Sequence, residues 1–239
     1  MRRMTKENKN PYSIIIYLFW KKSREISFAA LAKRKEHTMS KLKWKGGALI
    51  APVPPAMISC MGSDGKPNII TVAWTGILST HPPKTYISVR PSRHSYELIR
   101  ESGEFVINLT TKALTRSADL CGMKTGKKID KFKECNLTAE FDAQFPEFSC
   151  PSIAESPMSI YCKVDRVIPL GSHDMFIADI AGIGVDEALI DEKGKLCLDK
   201  AGLAAFAHGE YLELGKKIGA FGFSVAKKKK KKTPAQEKN

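Results

Sequence analysis

Short apolar runs separated by turn signals dominate the chain between residues 57 and 185. Runs of about five residues that are rich in Ile, Val and Tyr are typical of β-strands. The pattern predicts strands over 57–61, 68–74, 85–89, 104–109, 158–168 and 175–185. Helical patterns are few, so we predict a mainly β fold of about seven strands. An antiparallel β-barrel with flanking helices fits this pattern better than a doubly wound sheet.

One helix is predicted over 96–102, with Leu98 and Ile99 facing inward. Gly103 stands where a helix commonly ends, in the left-handed conformation that glycine adopts readily. A second helical and more polar stretch is predicted over 111–133, interrupted by a glycine-bearing loop at 121–126. No internal repeat is apparent, and one domain is expected.

The passage from the strand at 85–89 into this first helix carries the most distinctive chemistry. Its polar residues are Arg90, Ser92, Arg93, His94 and Ser95. Backbone N–H groups at a helix start, together with guanidinium and hydroxyl donors, favour a bound anion. A phosphate-bearing cofactor is therefore one interpretation, and a solvated turn is the other.

The net charge of +14 is concentrated at the two ends of the chain. Residues 1–38 contain ten basic and three acidic residues, a net +7, and residues 227–239 contain seven lysines and one glutamate, a net +6. The 188 residues between them carry only +1, which gives no global signature of nucleic-acid binding. We interpret 39–226 as the working domain and 227–239, with Lys227–Lys232, as a disordered tail.

The N-terminal extension contains an apolar run over 12–20, about half the length of a membrane-spanning helix. Two lysines follow it instead of a small-residue cleavage pattern, so no signal peptide is predicted. Met39 directly precedes the globular-looking sequence. We therefore hypothesise that residues 1–38 are an over-extended start and that the working protein begins at Met39. Detection of a peptide from residues 1–38 by mass spectrometry of the natively expressed protein would contradict this hypothesis.

The six cysteines and five histidines do not form a pattern typical of metal sites. No C-x-x-C pair and no H-E-x-x-H helix occurs, and no metal site is predicted. Reduced thiols and a cytoplasmic location are expected, with no membrane span. A G-x-G-x-x-G fingerprint after a strand, a P-loop and a G-x-S-x-G elbow are also missing from the sequence. A phosphate site on a β-barrel without these motifs favours flavin mononucleotide (FMN).

Several motifs, in this order along the chain, resemble the flavin reductase-like, FMN-binding split-barrel family, and most closely its flavoredoxin-type branch. The resemblance covers about residues 44–223. It rests on Asn68-Ile-Ile-Thr-Val-Ala-Trp-Thr-Gly, Pro82-Pro, Tyr86-Ile-Ser-Val-Arg-Pro-Ser-Arg-His-Ser-Tyr, Gly103-Glu-Phe-Val-Ile-Asn, Cys121-Gly, Thr125-Gly, Asp130-Lys-Phe and His173-Asp-Met-Phe-Ile. It implies a six-stranded antiparallel split barrel that binds FMN at a homodimer interface.

The resemblance also implies roles for individual residues. The run 72–75 would lie along the isoalloxazine ring, the polar residues of 90–95 would surround the phosphate and ribityl chain, and residues from 121–132 would close the site from this chain or its partner. The implied FMN-binding residues are Val72, Ala73, Trp74, Thr75, Arg90, Ser92, Arg93, His94, Ser95, Cys121, Thr125, Lys131 and Phe132. His173 is the implied catalytic residue, near the nicotinamide or substrate.

Each of these residues also has a purely structural interpretation. Trp74 is equally typical of a protein core, Lys131 of a solvated helix face, and Cys121 of inert packing. The function implied is an oxidoreductase that passes electrons from NADH or NADPH through FMN to free flavin or another acceptor. An FMN-containing electron carrier without its own NAD(P)H site, working with a redox protein partner, is the alternative.

Overall fold

The computed structural model describes residues 40–225. The apolar run at 12–20, Met39 and the lysine run at 227–232 lie outside these residues. Residues 40–48 are exposed and contain no helix or strand. The strands of the remaining body are β1 Ala56–Met61, β2 Pro67–Val72, β3 Thr75–Thr80, β4 Pro83–Val89, β5 Glu104–Asn108, β6 Ala139–Glu140, β7 Ser152–Ile153, β8 Met158–Pro169, β9 Asp174–Val185, β10 Ala204–Ala207 and β11 Glu210–Glu213.

Within residues 40–225, three α-helices lie between the strands: α1 His94–Ser102, α2 Thr115–Met123 and α3 Lys131–Glu134. Two short 3₁₀ helices of the same region, Glu187–Leu189 and Leu198–Lys200, lie between β9 and β10. No helix within residues 40–225 is long and apolar enough to cross a membrane.

Seven antiparallel strands form the main sheet in the order β2-β1-β5-β8-β9-β4-β3. The outermost strands, β2 and β3, are joined by Ala73 and Trp74 alone. In a flat sheet of seven strands these edges would lie about 29 Å apart, since neighbouring strands are about 4.8 Å apart. The two-residue link reaches only about 10 Å. The sheet therefore curls until its edges approach each other, which gives a barrel with a seam at residues 73–74.

The barrel has one core inside, a second beneath two of its helices, and a smaller third one in which Val106 and Tyr161 pack against Phe148 and Cys150. Inside, alternate residues of the strands pack together, with Ile58, Ile87 and Phe105 fully buried. The opposite face of β1 and β2 packs Met57 and Ile69 against α2 and α3. This alternation is the period-two pattern that predicted the strands.

The predicted fold class is confirmed, and so are most of the elements. Gly103 ends α1 with φ +70° and donates its N–H to the Ile99 carbonyl, as predicted. Ile99 is fully buried, whereas Leu98 is only partly buried. The main sheet has seven strands, one more than the six implied by the family resemblance.

Strand β3 was not predicted, and the predicted strand over 68–74 is shorter than expected. The chain bends at residues 73–74 and continues as β3, whose Ile77 and Leu78 are exposed. A strand without a buried face has no alternation for a sequence pattern to detect. The β10–β11 hairpin also has no counterpart among the predicted strands.

Candidate functional site

The turn between β4 and α1 presents a cluster of cationic and hydroxyl side chains. β4 ends at Val89, and the Arg93 N–H donates to the Arg90 carbonyl at 2.9 Å, which closes the turn. α1 begins immediately afterwards at His94. Arg90, Ser92 and Arg93 are exposed, so their polar groups remain accessible.

Beside this turn lies a cavity of about 200 Å³, which we call the basic cavity. Four of its lining residues, Arg90, Arg93, Lys124 and Lys131, are basic, and none of the lining residues from the described part of the chain is acidic. The remaining residues supply hydroxyl, amide and imidazole groups or small side chains. The full lining is Asn68, Ile70, Arg90, Ser92, Arg93, His94, Ser95, Cys121, Lys124, Thr125, Gly126 and Lys131.

Lys131 provides the buried charge of this cavity. Its side chain is 3% exposed, and its Nζ donates to the Ile69 carbonyl at 2.6 Å and to the Cys121 carbonyl at 2.7 Å. Burial lowers the pKa of Lys131, and the nearby Arg93 lowers it further. An ammonium carries three protons, so one remains for an acceptor in the cavity. The solvated-helix interpretation of Lys131 is thereby excluded.

The opposite wall is ordered by β2 and the start of α1. Asn68 donates its side-chain N–H to Ser95 Oγ at 2.7 Å, and both residues are buried. Gly126 lies so close that a Cβ atom there would come within 2.1 Å of Asn68 Oδ1. Burial lowers the pKa of the neighbouring His94, as do the nearby charges of Lys127 and Lys131. The neutral imidazole is therefore favoured at pH 7.

A second cavity of about 180 Å³ adjoins the first and shares Ile70, Arg90 and Arg93 with it. It lies at the barrel seam, and we call it the seam cavity. Trp74 is 38% exposed, so it is not a core tryptophan. Its carbonyl accepts the Ser88 N–H at 2.9 Å, which ties the seam to β4. The remaining lining residues are Thr71, Val72, Ala73, Trp74, Ser88, Val89, His173 and Phe206.

His173 directly precedes β9 and lines the seam cavity. Its Nδ1 is 2.9 Å from Ser172 Oγ. Burial lowers the pKa of His173, and so do the charges of Arg90 and Arg93. Its neighbour Asp174 accepts a hydrogen bond of 2.6 Å from the Tyr96 hydroxyl, which fixes α1 against this end of β9.

The two cavities bring together twelve of the fourteen residues named from the sequence. Thr75 and Phe132 line neither cavity. Thr75 Oγ1 donates to the Tyr86 carbonyl at 2.6 Å within the β3–β4 pair, and Phe132 is buried in the apolar cluster beneath α2 and α3. The hydrogen bond of Thr75 and the burial of Phe132 therefore indicate structural roles for both side chains.

Sequence reasoning did not assign several lining residues to a site. Asn68 and Gly126 belong to the motifs that carry the family resemblance, and this membership could have indicated that they line the site. Lys124 lies in the predicted glycine-bearing loop. Phe206 had no signal, because it reaches the seam through the pairing of β10 with Val53.

Comparison with known proteins identifies the family to which this fold belongs. A family model described as "Flavin reductase like domain" matches residues 49–214. The chain belongs to the flavin reductase-like family. Membership confirms the resemblance inferred from the motifs and supports a flavin-related redox function.

Three similar proteins illustrate this family relationship. Flavoredoxin of Desulfovibrio vulgaris (Miyazaki F) superimposes with a TM-score of 0.72 at 28% identity, covering 78% of this chain and 100% of that protein. An FMN-binding protein from Thermus thermophilus, solved with 1-cyclohex-2-enone, gives 0.63 at 20% identity over 76% and 99% of the two chains. An uncharacterized protein of Archaeoglobus fulgidus is 30% identical over 128 residues, 54% of this chain and 71% of its own.

Proposed function

We propose that this flavin reductase-like protein binds FMN and uses it as an NAD(P)H-dependent flavin oxidoreductase. The observation that carries the proposal is the pair of adjoining cavities, one strongly cationic and one at the barrel seam, that share Arg90 and Arg93. Their volumes of about 200 and about 180 Å³ together lie at the lower end of the range of about 300–1,000 Å³ typical of small-molecule sites. FMN has a dianionic phosphate at one end and a flat heterocycle at the other.

The donors of the basic cavity fit a phosphate. Guanidinium groups of Arg90 and Arg93 match phosphate oxygens in a bidentate manner, and the hydroxyl of Ser92 complements them. The free N–H groups and the positive dipole at the start of α1 add to the attraction. Lys131 would contribute its remaining proton from the buried side.

The seam fits the ring of the flavin. Ala73 lies between β2 and β3, outside both ladders, so its N–H and C=O are available to the polar edge of the ring. Trp74 and Phe206 provide aromatic surface at the same place. When bound, FMN would supply the hydride-accepting and electron-donating chemistry. The chain would bind and orient it, with His173 beside the seam as a candidate to position the nicotinamide or substrate.

The test of FMN binding is a stoichiometry measurement. We expect the purified protein, supplied with FMN and freed of excess ligand, to be yellow and to release about one FMN per chain on denaturation. A colourless protein that FMN does not stain at micromolar concentration would contradict the proposal.

The electron donor, NADH or NADPH, is tested separately, because an electron carrier of the flavoredoxin type would have the same flavin site. Anaerobic stopped-flow mixing of the FMN-loaded protein with NADH or NADPH is expected to bleach the flavin absorption band. FMN binding without bleaching by either nucleotide would favour the alternative, an FMN-containing carrier reduced by a protein partner.

We further propose a homodimer in the cytoplasm. The outermost strand β3 exposes Ile77 and Leu78 beside the seam, and exposed apolar surface of this kind favours association. All six cysteines are free thiols, which supports a reducing compartment. Sedimentation analysis of the full chain measures the assembly state, and a monomer at micromolar concentration would contradict the dimer.

A further inference from the structure

Two cysteines from different elements lie in contact behind the basic cavity. Cys121 Sγ, near the end of α2, is 3.8 Å from Cys135 Sγ, at the end of α3. Cys121 is fully buried and also lines the cavity, whereas Cys135 is partly exposed. Among the described residues, no other two cysteine sulfurs lie within 4 Å of each other in a hydrogen-bonding contact.

We propose that Cys121 and Cys135 are an oxidisable dithiol, and that their reversible disulfide fixes the loop that forms one wall of the basic cavity. The disulfide would close a covalent ring over residues 121–135. This ring includes Lys124, Thr125, Gly126 and Lys131, the cavity-lining residues between the two cysteines. The proposed modification therefore acts on the site itself.

The geometry requires only a small movement. A disulfide bond is about 2.05 Å long, so the sulfurs must approach by about 1.8 Å. α3 has only four residues and Cys135 is its C-cap, which allows the partly exposed partner to move. Cys121 is anchored more firmly, because its carbonyl accepts a hydrogen bond from the Lys131 ammonium.

The oxidant is a peroxide, and the chemistry proceeds in two steps. The more accessible Cys135 thiol attacks hydrogen peroxide and becomes a sulfenic acid, releasing one water. Cys121 sulfur then attacks the sulfenic sulfur, the disulfide forms, and the hydroxyl leaves as a second water with the thiol proton. Two electrons pass from the two thiols to the peroxide, and an added dithiol returns them.

The surroundings of the buried cysteines favour reaction at this pair. Burial raises the pKa of Cys121 to about 12, while the nearby Lys131 ammonium counteracts part of that effect. Burial also raises the pKa values of the thiols of Cys60, Cys150 and Cys162. These three are buried away from solvent, so peroxide reaches them poorly.

The experiment is a peptide map of the full chain treated with hydrogen peroxide and then alkylated. We expect a cross-linked species that joins the Cys121 and Cys135 peptides, 2 Da lighter than the two thiol peptides together, and its loss after dithiothreitol. The Cys135→Ser variant should not form it, whereas Cys197→Ser, which removes the other partly exposed cysteine, should form it normally. Failure of the wild-type protein to form this intramolecular link would overturn the proposal.

The effect on the loop is measured without any flavin. The exposed Lys127 and Lys128 lie within the ring, and trypsin should cleave beside them at least about threefold more slowly in the oxidised protein. The Cys135→Ser variant should show no change with peroxide. Equal cleavage rates in oxidised and reduced wild type would show that the link does not fix the wall.

One consequence rests on the proposed function. If the cavity binds the FMN phosphate, the oxidised protein should release FMN at least about threefold more slowly than the reduced protein. Equal release rates would refute this effect on the ligand. A protein that forms the link but binds no FMN in either state would instead contradict the proposed function and leave the dithiol established.

Discussion

Lys131 is the residue whose environment differs most from the usual environment of its type. Lysines are almost never fully buried without partners, and this ammonium has two carbonyl partners and lines the basic cavity. The two hydrogen bonds fix the ammonium in place, so it needs no rearrangement to meet an anion. A charge fixed in this way would hold the phosphate of the proposed ligand more tightly than a flexible surface lysine would.

Replacing Lys131 with methionine tests this role. The Lys131→Met side chain keeps a similar length but removes the charge and both hydrogen bonds. Because hydrogen bonds to charged groups contribute about 1.5–3 kcal/mol, we expect FMN affinity to fall about tenfold to a hundredfold. Fluorescence titration measures the change, and Lys133→Met on the same short helix, outside the cavity lining, is the control. Wild-type affinity in Lys131→Met would exclude a contact with the ligand.

Arg93 gives a test of which part of FMN occupies the basic cavity. In Arg93→Ala we expect FMN to bind about tenfold or more weakly, since a charge-assisted contact to phosphate is lost. Riboflavin, which lacks the phosphate, should bind almost as it does to wild type. Arg100→Ala, on the far turn of α1 and paired with Glu97, is the matched control and should change neither affinity. Equal losses for FMN and riboflavin in Arg93→Ala would refute the phosphate assignment.

The lowered pKa of His94 predicts a pH dependence of stability. In the unfolded chain the pKa of His94 is near 6.5, whereas in the folded protein it is lower. Below pH 6.5 the unfolded chain therefore binds a proton more readily than the folded protein does. The free energy of unfolding should therefore be highest above pH 6.5 and fall as the pH drops towards the lower folded-state value. Urea denaturation at several pH values should show a shallower decrease in His94→Gln than in wild type. Parallel curves for the two proteins would rule out this contribution.

At the scale of elements, buried polar groups join strands to the loops that cover them. Asn108 in β5 donates to the Met57 carbonyl and accepts the Ile153 N–H, so one side chain connects three strands. Glu104, at the start of β5, connects that strand to the loop before β7. Its Oε1 accepts the Ser149 and Cys150 N–H groups at 2.6 and 3.0 Å.

Loss of the Glu104 carboxylate should destabilise the fold. Glu104→Ala leaves the N–H groups of Ser149 and of the buried Cys150 without their acceptor, and we expect the free energy of unfolding to fall by about 2–4 kcal/mol. Glu101→Ala, an exposed change in α1, should remain within about 0.5 kcal/mol of wild type. Chemical denaturation of the three proteins gives the comparison, and similar midpoints for Glu104→Ala and wild type would contradict it.

At the scale of the whole molecule, barrel closure creates the site. Asn68 lies in β2 and Arg90 directly follows β4. These two strands are not neighbours in the sheet, and the two residues meet because the seam brings β2 towards β4. The α2–α3 segment covers the same end and contributes Lys131. A flat sheet with the same strands would separate these groups.

The charged ends should be dispensable for this site. Residues 39–226 carry a net charge of only +1, and the basic cavity lies within them, so we expect the proposed ligand binding to be independent of the basic ends. A chain restricted to 39–226 is expected to retain FMN affinity within about twofold and unfolding free energy within about 0.5 kcal/mol of the full chain. Titration and denaturation measure both, and a large loss of either would show that the ends contribute to the domain.

Local sequence was sufficient to predict a feature wherever the residues that indicate the feature are also the residues that form it. The period-two runs predicted most strands of the main sheet, Gly103 predicted the end of α1, and the arginines at 90 and 93 indicated a basic cluster next to a helix start, where the basic cavity lies. Each of these depends on backbone preferences or on side chains that lie within a few residues of one another. β3 was missed because its side chains are largely exposed and lack an alternating pattern.

Tertiary structure alone decided which distant residues share the site. Lys131 resembles a solvated helix lysine in the sequence, and only the fold buries it against the Ile69 carbonyl, 62 residues away. Phe132 follows it directly and turns into the apolar core instead. The contact of Cys121 with Cys135 and the arrival of Phe206 at the seam likewise depend on packing between elements. Burial and proximity of this kind arise from closure of the barrel, which no short stretch of sequence encodes by itself.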